Sequence, residues 1–81
     1  MLVLQESESF IDSETKEVRW RTKGPDGQRL IVAASLEARS DFRGDASELG
    51  AAVARIADRK LRLGEVEPDG RVLVRTAELN P

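Results

Sequence analysis

The chain contains no cysteine and no histidine. The first absence excludes disulfides, thiolate zinc sites, iron–sulfur clusters and a cysteine nucleophile. The second removes the commonest metal ligand and the one side chain that ordinarily titrates near neutrality. Aromatics are scarce: one Trp, two Phe and no Tyr. Long apolar runs are missing as well. The opening Met1–Leu4 is far too short for a membrane span or a secretory leader, and no Lys or Arg precedes it. A cytoplasmic location is the expectation. Neither sign of charge dominates, with a formal net charge of −2, so the global basic excess of most nucleic-acid binders is absent.

Those absences bear on stability. A chain of 81 residues makes one domain with a modest core, which without a staple rarely supplies more than ~3–5 kcal/mol net. With disulfides and the usual metal ligands gone, the staple left is a partner chain, and a homodimer is the state to test. Ten Arg against three Lys, with abundant Ala, suggest a GC-rich bacterial genome.

What is present is organised around Glu17–Ala34, EVRWRTKGPDGQRLIVAA, which reads as a β-hairpin. Pro25 pre-sets the first corner of a type I turn and Gly27 supplies the left-handed residue after it. If Pro25, Asp26 and Gly27 form the loop, Gly24 pairs with Gln28. Thr22 then faces Leu30, Trp20 faces Val32 and Val18 faces Ala34, all on one side of the sheet. The opposite side collects Arg19, Arg21, Lys23, Arg29 and Ile31. One face is core and the other basic.

Before the hairpin, Met1–Gln5 reads as a short strand and the polar run Glu6–Ser9 interrupts it. Phe10-Ile11 belongs to a strand pairing with Val18–Thr22, reached through the turn-like cluster 12–16. After the hairpin, Ser35 is placed to cap a two-turn helix over 36–42, with Ala38 and Phe42 on one face and Gly44 at its C-terminal stop. Asp45 and Glu48 have capping-box spacing and open a helix over 46–63 that Gly64 ends. Leu49, Val53, Ile56 and Leu63 form its core stripe. Beside it runs a stripe of smaller residues, Gly50, Ala54, Ala57 and Leu61, suited to close packing on the sheet, the short helix or a second copy. Lys60 falls among the apolar positions and is expected to snorkel to water. A second Pro68-Asp69-Gly70 should pair Glu67 with Arg71 and Val66 with Val72, leading into a strand over 71–75. The tail 77–81 is expected to fray. The two PDG turns are one solution to one turn problem rather than an internal repeat.

These signals define an α+β fold: a small antiparallel sheet, order β-β-β-α-α-β, with helices on one face. Residues 1–9 form a partly ordered N-terminal segment and residues 10–77 the domain.

Chemistry is sparse. No glycine-rich phosphate loop occurs, and the acids Asp26, Asp45, Glu48, Asp58 and Asp69 each have a turn, cap or ion-pair position to fill. Ser13-Glu14-Thr15-Lys16 matches S-x-x-K without its companion motifs. The chain reads as a non-enzyme needing no cofactor or metal. Two basic surfaces remain. On the long helix, Arg55, Arg59 and Arg62 read as a solvated face. On the sheet, Arg19, Arg21, Lys23, Arg29 and Arg75, with Arg71, form the candidate binding face, scarcely interrupted by acids. The alternatives for that face are plain solvation and contact with nucleic acid, though Trp20 points away from it and stacking aromatics are not evident there.

The layout resembles the small bacterial domains of unknown function called DUF1488. The shared features are Phe10 and Asp12, the V-x-W strand Val18–Trp20, the S-x-E-A element Ser35–Ala38, the Lys60 to Gly64 helix end and the PDG-x-V-L-V strand Pro68–Val74. Arg39 stands where that pattern has Leu. The resemblance implies a stand-alone α+β domain and carries over no activity. The functional expectation is a non-enzymatic protein-interaction module, alone or as a homodimer, with weak nucleic-acid binding on the basic sheet face as the alternative.

Overall fold

A computed structural model describes residues 2–81. Strands β2 (Glu17–Lys23) and β3 (Arg29–Ser35) pair antiparallel, with Thr22 opposite Leu30, Trp20 opposite Val32 and Val18 opposite Ala34. The turn sets that register. Gly24 N–H donates to Gln28 C=O and Gly27 N–H to Gly24 C=O, both at 2.9 Å. The Asp26 carboxylate accepts from Gln28 N–H at 3.1 Å, and Gly27 takes the left-handed φ of 80° that a side chain would resist. Pro68-Asp69-Gly70 repeats each of these contacts: Glu67 N–H to Arg71 C=O at 2.9 Å and Gly70 N–H to Glu67 C=O at 2.8 Å, and Arg71 N–H to the Asp69 carboxylate at 3.2 Å.

Strand β1 (Ser9–Asp12) joins the outer side of β2, Phe10 facing Arg19 and Ile11 facing Val18. On the far side of β3 lies β4 (Val72–Val74), giving the order β1-β2-β3-β4. The fold is α+β, but its sheet is mixed, because β4 runs parallel to β3. The reason lies in what flanks the second turn. Val66 stands in no ladder with Val72; the turn closes one pair and then feeds β4 directly. The intervening helices carry the chain back to the end of the sheet where β3 starts, so the next strand runs alongside it in the same direction.

Helix α1 (Leu36–Asp41) starts where the Ser35 hydroxyl accepts from Ala38 N–H at 3.0 Å. Helix α2 (Ala46–Arg62) starts with both halves of the capping box between Asp45 and Glu48. It stops in a Schellman arrangement, with Gly64 N–H on Leu61 C=O at 3.2 Å and Glu65 N–H on Lys60 C=O at 2.8 Å. Gly44 plays no such role: α1 ends on an extended Phe42, and a Cβ on Gly44 would come within 2.7 Å of the Phe42 ring.

Both helices cover one face of the sheet. Trp20, Val18, Val32, Ala34, Val72 and Val74 meet Ala38, Leu49, Val53, Ala54 and Ala57 in one core. Trp20 is only 3% exposed, so the sheet faces are as the sequence places them. The buried side of α2 is centred on its small residues, whereas Leu63, past the last turn, is 67% exposed. Gly50 is packed against neither sheet nor α1 but against the N-terminal segment; a Cβ there would lie 3.2 Å from the Leu4 carbonyl.

The chain ends are part of the core. The strand expected over Met1–Gln5 is absent over residues 2–5, Met1 lying outside the described residues. Leu2 is buried, Leu4 packs beside it, and a 3-10 turn over Glu6–Glu8 leads into β1. In place of a frayed tail stands α3 (Thr76–Leu79), which buries Leu79. Asn80 Nδ2 donates to Ala38 C=O at 3.0 Å, tying α3 to α1. Lys60 does not snorkel. Its side chain is 12% exposed, and Nζ donates to Leu73 C=O at 2.8 Å and Glu78 Oε1 at 2.6 Å. The same oxygen accepts from Arg75 N–H at 2.9 Å. Burial pushes the Glu78 carboxyl up, but the hydrogen bonds from Lys60 and the Arg75 amide, with their charges, outweigh it and hold it below its ordinary value.

Two outcomes follow. Trp20→Ala removes the largest core side chain and should cost about 3–5 kcal/mol, leaving the protein largely unfolded by circular dichroism at 25 °C. Because Glu78 titrates lower folded than unfolded, its contribution is complete above the ordinary glutamate range and is lost as pH falls through the folded value. The wild-type urea midpoint should therefore fall below about pH 4.3 more steeply than that of Glu78→Gln. Superimposable acid limbs would remove Glu78 from the linkage.

Candidate binding face

Odd-numbered residues of β2 and β3 point away from the helices, together with Phe10 and Asp12 of β1, whose register partners are Arg19 and Glu17. This helix-free face has an acid at its centre. Glu17 is buried, and its Oε1 accepts from Arg19 Nε at 3.0 Å and lies 3.6 Å from Arg71 Nε. Arg19 reaches on to Asp12 at 3.2 Å, and Arg71 to Asp69 at 3.2 Å. The Arg71 Nε is buried without a hydrogen-bond partner; Glu17 answers its charge from just beyond hydrogen-bond distance. Asp12 is held below the ordinary aspartate range, chiefly by the Thr15 amide; desolvation opposes this, and the Glu14 amide, the Arg19 charge and the Thr15 hydroxyl add to the lowering. Three acids and two arginines thus form one network, with an acid in excess, over Ala33, which is completely buried on this side between Arg19 and Leu73 in the register.

The expected basic face therefore divides. Arg19 and Arg71 are committed to acids. Arg75, level with Ser35 through the β3–β4 register, stands about six residues along the sheet from Lys23, roughly 20 Å away. Arg21, Lys23 and Arg29 remain together at the hairpin end, around an open depression of about 570 Å³ floored by Ile31, with Glu8 on its rim. A second depression of about 310 Å³ continues from it past Arg29 and Ile31 to Arg71 and Gly70. None of Arg21, Lys23 and Arg29 makes an ion pair among the described residues.

Phe10 was not expected here. Its ring lies on the helix-free side with the Arg21 guanidinium carbon 4.2 Å from the ring centroid, a cation–π contact. The signal was available, since the Phe10–Arg19 register follows from the four-residue turn at 13–16 and alternation does the rest. Ser13 and Lys16 of the S-x-x-K match are exposed within that turn. On α2, Arg55, Arg59 and Arg62 are exposed, and Arg62 lies 3.4 Å from Asp58. Among the described residues no group of three acids could hold a metal ion, and no helix is long and apolar enough to cross a membrane. No family model, curated protein or solved structure matches this chain.

Glu17 is the residue whose loss should alter this face most. Glu17→Gln keeps the shape and removes the charge shared by Arg19 and Arg71, leaving each a single outer acid, Asp12 and Asp69. A loss of about 1.5–3 kcal/mol in urea unfolding is expected, the range for a hydrogen bond to a charged group, together with tighter binding of heparin at low salt. Unchanged values in both assays would show that the network contributes neither stability nor charge masking.

Proposed function

We propose that this chain is a non-enzymatic interaction module that binds an acidic segment of a partner protein at the hairpin end of its helix-free sheet face. One observation carries the reading. Arg21, Lys23 and Arg29 make no ion pair among the described residues and surround an apolar floor at Ile31, whereas Arg19 and Arg71 are paired with acids and Arg75 stands apart at the other end of the sheet. A cationic rim over an apolar floor suits a peptide with carboxylates beside an apolar side chain. The layout resembles small bacterial DUF1488 domains, a resemblance that carries over no activity; a cytoplasmic location and a monomeric or homodimeric state are part of the same proposal.

Nucleic acid is the second reading, favoured by one feature: Phe10 adds a ring to the basic face, where a base could stack. Against it stand the acids Glu17, Asp12, Asp69 and Glu8, which interrupt any continuous track for a phosphate backbone.

The two readings separate in one experiment. The labelled protein is titrated with a Glu- and Leu-containing peptide and, separately, with a mixed single-stranded oligonucleotide, following amide shifts by NMR. The peptide should perturb Arg21–Lys23 and Arg29–Ile31, and Arg21→Glu with Lys23→Glu should abolish this while leaving the fold intact, since both side chains are exposed. If the oligonucleotide binds more tightly, with affinity falling steeply as salt rises and shifts at Phe10, the second reading replaces the first.

A further inference from the structure

The two edges of the sheet differ. At β4 the carbonyl of the middle residue, Leu73, is occupied by Lys60 Nζ. At β1, the alternation of antiparallel bonding identifies which groups look outward. Gly24 N–H bonds to Gln28, and Lys16 C=O accepts from Leu36 at the other end of the same ladder. Even-numbered residues of β2 therefore spend their backbone groups on β3, and odd-numbered ones face β1. Phe10 and Asp12, opposite Arg19 and Glu17, bond to β2. Ser9 and Ile11 point away from the sheet. The Ser9 N–H returns to Glu6 C=O. By the same alternation the Ser9 carbonyl and both backbone groups of Ile11 face away from β2.

The side chain of Ile11 is 56% exposed, unusual for an edge strand, where apolar exposure invites pairing. Beside it, between β1 and the start of α2, lies an open notch of about 370 Å³ whose apolar lining includes Trp20 and Leu49. Charge selects the occupant. Glu6, Glu8, Asp12 and Glu14 bracket the strand, and only Asp12 has an ion-pair partner among the described residues. A second copy pairing antiparallel would oppose these acids. With Ile11 across from its own copy, Glu8 meets Glu14; with Phe10 across from its copy, Glu8 meets Asp12. Like charges directly opposite are destabilising.

We infer that β1 is a strand-addition site for an extended, cationic segment of another protein. The segment bonds to Ser9 and Ile11, seats an apolar side chain in the notch and sets Lys or Arg against Glu6, Glu8 and Glu14. This surface meets the hairpin-end depression at Glu8 alone, and it stands whether or not that depression binds an acidic partner.

The test uses the full-length labelled protein and a short, end-blocked peptide of alternating Val and Arg, with a Val–Glu peptide as control. The Val–Arg peptide should shift the amides of Ser9–Asp12 and slow hydrogen exchange at Ile11, and the Val–Glu peptide should not. Ile11→Pro deletes the outward N–H at an edge position where proline is tolerated and should weaken binding about tenfold or more, the equivalent of a hydrogen bond and its packing. Ile11→Lys, which keeps the N–H but repels the peptide, should do the same if the proline variant fails to fold. Arg21→Glu with Lys23→Glu, which adds acid beside Glu8, should not weaken this binding. Absence of binding, equal binding of the Val–Glu peptide, or undiminished binding by a folded Ile11 variant would each overturn the proposal. So would light scattering showing a dimer that Ile11→Lys dissolves, because the acids would then have failed to exclude a second copy.

Discussion

Everything in this domain depends on the parity of one hairpin. The Pro25-Asp26-Gly27 turn fixes which residue of β2 faces which of β3, and side chains alternate strictly from there. A slip of one residue would put Arg19 and Arg21 into the core and Trp20 into water. The core is small, so no other element could hold the sheet against such a slip. The same parity decides the surface: it places the cations on the helix-free side, the aromatic Phe10 beneath Arg21, and Glu17 where Arg19 and Arg71 can reach it.

A core of this size closes because small residues let its layers approach. Ala34, Ala38, Ala54 and Ala57 are buried, and Gly50 allows the N-terminal segment to lie against α2. Close approach leaves little apolar area per residue, and polar contacts supply part of the difference. Lys60 binds β4 and α3 to α2 at once, and Asn80 fastens α3 to α1. These interactions join segments distant in the chain.

The elements whose cause is local were legible in the sequence. Both PDG turns, the Ser35 cap, the Asp45–Glu48 box and the Gly64 stop are set by residues within a few positions of one another, and each is present. What required knowledge of distant partners was not. Lys60 reads as a snorkelling side chain until Leu73 and Glu78 are known to lie above it. The tail reads as frayed because Thr76–Leu79 is too short to be helical without the core beneath Leu79. The parallel placement of β4 depends on the path of two helices, which no turn signal encodes. At the binding face, alternation put Arg21, Lys23 and Arg29 on one surface, but the same alternation also puts Glu17 there, in phase with Arg19. An acid in phase with a basic stripe reads as an interruption only when the neighbouring strands bring further charges to it.

The bond from Lys60 to the Leu73 carbonyl has a consequence for assembly. Growth of sheets by edge pairing needs two reactive edges on every molecule, as a polymer needs bifunctional monomers. With the middle carbonyl of β4 occupied, that three-residue edge offers an incoming strand one acceptor fewer, so growth of the sheet is disfavoured on that side relative to β1.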